Sequence, residues 1–292
     1  MTSLCEIKEY HHWPRSILSK TSLNTIFQIE KFDLIIHCAA QPSHDMSAGI
    51  PYEDFQTNAL GTINLLKIAR QWCPETPFIF VSTNKVYGDR PNQIKLREAI
   101  SRFHYDEEAY KAGIDESMSI DQCLHSPFGA SKAAADLMVQ EYGRYFNMPT
   151  VCFRCGCITG LAQQGVELHG FLNYLCKTVK EDRPYTIYGH KGKQVRDVIH
   201  AADLVAAFHA FALNPKKGEV YNMGGGHENT CSLLEALDLA EEYSGKKPKI
   251  LHSDARKGDH ICYYTDYRKF QKDYTNWRIT KSVPEMIQEM LL

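Results

Sequence analysis

Short apolar runs that alternate with longer segments of helical period limit the fold of this 292-residue chain more than any other feature. Parallel strands must be joined by crossovers, usually helices, so this alternation is the pattern of an α/β protein built on a parallel sheet. Asp33 to Ala39 (DLIIHCA) reads as a strand buried on both faces, and Thr57 to Gln71, apolar at 60, 63, 65, 66 and 69, as the helix after it. Phe78 to Ser82 (FIFVS) is the next predicted strand. Ala130 to Phe146 is a predicted helix closed by Asn147 and Pro149, and Val151 to Arg154 a further strand. Beyond Gly160 the pattern loosens into loops rich in Gly, Tyr and Lys, with helices predicted near 167–180, 201–213, 231–244 and 282–291. Between Asp89 and Cys123 runs a polar stretch too long for an ordinary connection, hence either functional or mobile.

Composition excludes several classes. With 43% hydrophobic residues the chain can bury a core, and 33 Lys plus Arg against 35 Asp plus Glu leave no global basic field for nucleic acid or an anionic membrane. No apolar run reaches membrane-spanning length, and the start, MTSLCEIKEYHHWPRS, lacks a signal-peptide core, which predicts a cytoplasmic protein. The ten cysteines are scattered, as suits reduced packing thiols. Cys152, Cys155 and Cys157 form C-x-x-C-x-C, but strand alternation sends neighbours to opposite faces and no second pair completes a metal site, so none is expected. His11, His12 and Trp13 read as tail.

Three segments carry chemistry: HCAAQPS at 37–43, VSTNKVYGD at 81–89 and SPFGASK at 126–132. Ala39 and Ala40 follow a strand and leave room for a flat ligand, as in the crevice of an open parallel sheet. Thr83, directly after a strand, turns its hydroxyl to the same crevice, and Lys132 shares a helix face with position 128, four residues earlier. In this order and spacing, the segments resemble the extended short-chain dehydrogenase/reductase family, the NAD-dependent epimerases and dehydratases of nucleotide-diphosphate sugars. The resemblance runs from about residue 20 to the C-terminus. GIDESMSIDQCLHSPFGASKAAADLMVQEYGRYFNMPT, GVELHGF and GKQVRDVIH look most like the branch of CDP-paratose (CDP-tyvelose) 2-epimerases.

That resemblance implies a Rossmann-like sheet over residues 1–160 and a smaller, partly interleaved substrate-binding region over 161–292. It implies NAD as cofactor, a CDP-sugar as substrate, a homodimer, and a place in lipopolysaccharide sugar biosynthesis. The family would oxidise a sugar hydroxyl, let the keto sugar present its other face, and return the hydride. Carried over residue by residue, Thr83 orients the reacting hydroxyl, and Ala39, Ala40, Gln41, Asn58, Ser82, Lys132 and Cys155 fall at the cofactor. Asn84, Lys85, Arg196, Asn222, Arg256 and Asp259 fall at the substrate, the arginines suiting diphosphate through their planar two-pronged donors.

The chain departs from the family twice. Where the family has a catalytic tyrosine stands Phe128, which cannot accept a proton; Lys132, His125, Tyr105 and Tyr110 are the candidate replacements. Asn84 and Lys85 replace the acid pair of the sister 4,6-dehydratases, which argues against dehydration. A non-catalytic sugar-nucleotide-binding relative and a UDP-sugar 4-epimerase are the alternative readings. The second departure is the absent G-x-x-G-x-x-G turn that cradles the cofactor pyrophosphate, the first glycine being Gly49. The expectation is a sheet lacking its first strands, in an N-terminally truncated form of a longer enzyme, with Met1 to about Asn24 foreign to the fold. Asp33 to Ala39 then forms an open edge of the kind that pairs with other chains. Poor solubility or local mobility over residues 20–45 is the expected outcome, checked by light scattering and denaturant unfolding; monodisperse, cooperatively unfolding protein with no added partner would contradict it.

Overall fold

The structure is a computed structural model and describes residues 10–292. Its central sheet holds four parallel strands in the spatial order Ile35–His37, Phe78–Thr83, Thr150–Cys155 and Glu219–Met223. The third strand is buried along its whole length because both faces are covered, which is why it reads as an unbroken apolar run. Alternation sorts the second: Phe78 and Phe80 pack with Leu23, Phe27, Leu66 and Val139 from helices Lys20–Ile29, Gly61–Trp72 and Ser126–Phe146. Ile79 instead joins Phe208, Phe211 and Phe270 from helices Ala201–Leu213 and Arg268–Asp273 on the opposite face.

A second sheet has Val195–His200 at its centre, paired with Thr230–Ser232, Cys262–Tyr263 and Cys157–Thr159. Helices Phe171–Lys180, Leu233–Ser244 and Val283–Leu291 build a further apolar cluster beside it. Two of these helices start at reciprocal caps that the sequence spells as Ser-x-x-Glu, Ser232 with Glu235 and Ser282 with Glu285. At Gly143 the long helix Ser126–Phe146 touches the turn into Glu219–Met223; a Cβ there would lie 2.2 Å from the Gly218 nitrogen.

Several expectations need correction. Residues up to Asn24 are not all foreign: Ser19 caps the helix Lys20–Ile29, whose Leu23 and Phe27 enter the core, and the Trp72 indole donates to Asn24 Oδ1 at 2.9 Å. His11, His12 and Trp13 are exposed, and Cys5, with the rest of Met1–Glu9, lies outside the described residues. The strand expected over 33–39 and buried on both faces pairs only over Ile35–His37, so its open edge is short, and Ile36 is exposed because that face of the edge strand is not covered. The polar stretch 89–123 is anchored: it carries the antiparallel pair Leu96–Glu98 and Phe103–Tyr105, and Ile94, Tyr105, Ile114 and Met118 pack with Tyr263 and Tyr264. The long helix begins at Ser126 rather than Ala130, with Pro127 in its first turn, where a missing N–H costs nothing. The helix expected at 57 starts at Pro51 and passes through a π turn at Gln56–Leu60.

One buried ion pair fastens the long helix to the sheet. Arg154 donates to Asp136 through Nε (3.1 Å) and Nη2 (2.8 Å), and Ser82 Oγ donates to the same carboxylate at 2.6 Å. Arg154 Nη1 reaches the Tyr87 hydroxyl at 3.0 Å, and that hydroxyl donates to Asn222 Oδ1 at 2.8 Å. Removing one partner strands a buried charge. Asp136→Ala is expected to destabilise the fold by about 3–5 kcal/mol, measured as a lowered midpoint in urea unfolding.

Candidate active site

The strand ends, the long helix and the second sheet enclose a cavity of about 320 Å³ lined by Thr83, Asn84, Lys85, Phe128, Arg196, Arg256 and Asp259, among others. Thr83 ends its strand and caps the turn Asn84–Tyr87, its Oγ1 accepting the Lys85 N–H at 3.2 Å. Since the oxygen is already an acceptor, its own proton is free to be donated into the cavity. Asn84 lines the same wall, and its amide has no protein partner among the described residues.

Three cations from three segments converge on one carboxylate. Asp259 Oδ1 accepts from Arg196 Nη2 at 2.8 Å and from Lys85 Nζ at 3.3 Å, and Oδ2 accepts from Arg256 Nη2 at 3.1 Å. The Asp259 carboxyl is half-buried, and although burial alone would raise its pKa, these cations hold it well below the ordinary value. Burial pushes the Lys85 ammonium pKa down, opposed by Asp259. Asp45 balances part of the remaining charge, at 3.3 Å from Arg256 Nη1. With Glu167 also in the wall, the three cations are matched by three carboxylates, so what the wall keeps available is spare N–H donors of the kind a diphosphate accepts from.

One helical turn past Phe128, Lys132 is buried between the long helix and the second strand, where its Nζ donates to Val81 O at 2.9 Å and stands 4.1 Å over the Phe80 ring. Burial depresses its pKa to about 8. Burial, with the Lys132 charge second, lowers His37 to about 3, so that imidazole is neutral and serves as a partner of Thr62 Oγ1 at 2.8 Å. Cys38 and Ala39 are exposed at the end of the edge strand, Ala40 half-buried beside them, and Cys155, its thiol pushed up to about 12 by burial, ends the third strand.

The remaining expected residues are placed differently. Ser82 and Asn222 do not line the cavity; both are consumed by the Asp136–Arg154 network, because Ser82 points to the opposite sheet face from Thr83, and Asn222 also donates to Ile114 O at 2.9 Å. Gln41 and Asn58 brace one another: Asn58 Oδ1 accepts the Gln41 N–H at 2.9 Å, and its Nδ2 donates to Ser131 Oγ at 3.0 Å. The π turn directs Asn58 to this task. Of the candidate bases, His125 faces the carbonyls of Val86 and Cys123, Tyr105 donates to Cys262 O at 2.8 Å, and Tyr110 packs on Tyr105; none of the three lines the cavity. Cys152, Cys155 and Cys157 enter three separate packing clusters. Sequence reasoning missed His44, Glu167, Tyr188 and His260, all in the cavity wall. His44 directly follows the HCAAQPS motif, and Glu167 lies within GVELHGF, so position was their only available signal.

Comparison with known proteins agrees with this geometry. The profile of the NAD dependent epimerase/dehydratase family matches residues 11–224. The chain is 34% identical over 265 residues to CDP-paratose 2-epimerase of Salmonella typhi, covering 88% of this chain and 76% of that protein. It is 26% identical over 287 residues to dTDP-glucose 4,6-dehydratase of Salmonella typhimurium, covering 94% and 75%. The crystal structure of UDP-glucuronic acid 4-epimerase from Bacillus cereus with UDP-glucuronic acid and NAD superposes with a TM-score of 0.80 at 25% identity, covering 99% of this chain and 83% of that one. The chain belongs to the NAD-dependent epimerase/dehydratase family, with its Rossmann-like fold and NAD as its cofactor.

The residues present fit the nicotinamide–ribose end of that cofactor. Lys132 is buried with a single acceptor for its three donors, and small Ala39 leaves the strand end open. No glycine-rich pyrophosphate turn occurs among the described residues.

Lys132 carries a stability cost. Its folded pKa of about 8 lies below the ordinary 10.5, so between those values the unfolded chain binds the extra proton and stability rises with pH; below pH 8 the full penalty applies. Lys132→Met is expected to gain about 1–3 kcal/mol at pH 7, an advantage that shrinks as pH approaches 10.5. Urea unfolding at the two pH values checks this.

Proposed function

We propose that the chain is a nucleotide-sugar epimerase acting on a CDP-sugar, in the manner of a 2-epimerase. The observation that carries this reading is the gathering of Lys85, Arg196 and Arg256 on Asp259 in the same cavity as Thr83 and Phe128. A diphosphate held by those cations leaves its sugar within reach of the strand end. Bound NAD would supply the hydride acceptor for the sugar carbon and the donor for its re-reduction. The Thr83 hydroxyl orients the reacting sugar hydroxyl, and Asn84 and Lys85 in place of a carboxylic acid disfavour loss of water. The CDP preference is supported by the likeness to CDP-paratose 2-epimerase. We also infer a homodimer and a cytoplasmic location; among the described residues no helix is long and apolar enough to cross a membrane.

The proton is the difficult step. Phe128 cannot receive it; none of the four candidate bases lines the cavity, and Lys132, one helical turn after Phe128 on the same helix, is the one whose pKa is brought down toward neutrality. With a pKa of about 8, roughly a tenth of its amine is neutral at pH 7. Turnover of a CDP-sugar is therefore expected to be slow at pH 7 and to rise with pH through about 8, as a pH–rate profile on NAD-loaded protein would record. Phe128→Tyr is expected to raise kcat by about 10²–10⁴-fold. An unchanged rate would point to another base. CDP-sugar binding without turnover in either form would favour the non-catalytic reading.

A further inference from the structure

The cavity continues past the cations, and Arg256 is the link. Its Nη2 holds Asp259, its Nη1 donates to Leu168 O at 3.4 Å, and its guanidinium carbon stands 5.8 Å from the centre of the Tyr188 ring. Tyr188 in turn donates its hydroxyl to Glu167 Oε1 at 2.9 Å, and both residues line the cavity. Lys85, two residues from Thr83, grips Asp259 through the other carboxylate oxygen. The order along the wall is thus Thr83, Lys85, Asp259, Arg256, Tyr188 and Glu167.

A nucleotide sugar is linear: sugar, diphosphate, ribose, base. With the sugar at Thr83 and the diphosphate at the cations, the base falls at Tyr188 and Glu167, an inference that rests on the nucleotide-sugar reading above. We propose that Glu167, oriented by Tyr188, selects cytosine over uracil at this end. A carboxylate only accepts hydrogen bonds, and cytosine offers it an exocyclic amino group at N4. Uracil carries a carbonyl oxygen in that place, so lone pairs would face lone pairs. Its one edge donor, N3–H, sits between two carbonyl oxygens that repel a carboxylate. Glu167 is a specificity determinant and takes no part in the proton or hydride steps.

The test is calorimetric titration of the full chain with CDP and with UDP, which requires neither NAD nor turnover. Wild-type protein is expected to bind CDP about tenfold more tightly than UDP, and Glu167→Gln, whose amide can turn a donor toward uracil, to bring the two within about threefold. A purely structural Glu167 would move both affinities together and leave their ratio intact. Titration of the unaltered protein with N4,N4-dimethyl-CDP, which lacks the donor, reads the same contact without a substitution; affinity no better than that of UDP is expected. Equal binding of CDP and UDP by wild type, a ratio that survives Glu167→Gln, or full-strength binding of the dimethyl analogue would overturn the selector while leaving the nucleotide-sugar reading standing. Failure of both CDP and UDP to bind would remove that reading and the selector with it.

Discussion

The Asp136–Arg154 pair is the contact on which the site depends. Asp136 sits on the long helix, Arg154 on the third strand, and their shared hydrogen bonds reach Ser82 on the second strand and Asn222 on the fourth. Three strands of the parallel sheet are thereby tied to one helix just short of their carboxyl ends. Those ends carry Thr83 and Cys155, and the helix carries Phe128 and Lys132. A buried ion pair adds little net stability over a well-packed apolar one, but each member is costly to lose, so it enforces one register of helix on sheet. The crevice inherits its geometry from that register.

Around the cavity, electrostatics work against folding and for binding. Lys132 is a buried and Lys85 a half-buried ammonium group, both with depressed pKa values, and three cations crowd a single carboxylate. Such an arrangement spends stability to keep charge and spare donors ready for an anionic ligand, a trade common where activity depends on a strained site. Asp259 holds the three cations together at the cavity wall. Lys132 answers to the same logic, its single acceptor leaving donors that the protein itself never satisfies.

Much of the fold was legible because it is local. The helix Ala201–Leu213 falls where periodicity puts it, and the buried strand Thr150–Cys155 announces itself as an apolar run. The helix around Asn24 was legible too, since Leu23, Ile26 and Phe27 mark one helical face. Ser82 shows what alternation can tell: neighbouring strand residues face opposite ways, so Ser82 turns to the helix side and Thr83 to the other. Asn222 gave no such warning, because its partner Tyr87 is 135 positions away.

The α/β alternation, the family, and the motif spacing that sets Thr83 at a strand end and Phe128 and Lys132 on one helix face are local properties of the chain. These follow from periods of two and 3.6 residues and from short spacings, which act within a strand or a few helical turns. Only the tertiary structure decided that Lys85, Arg196 and Arg256 share Asp259, that Ser82 and Asn222 belong to a buried brace, and that Tyr188 holds Glu167 in the cavity wall. Chain periodicity carries no information on which distant charges will meet. That pairing is set by how the two sheets and the long helix pack.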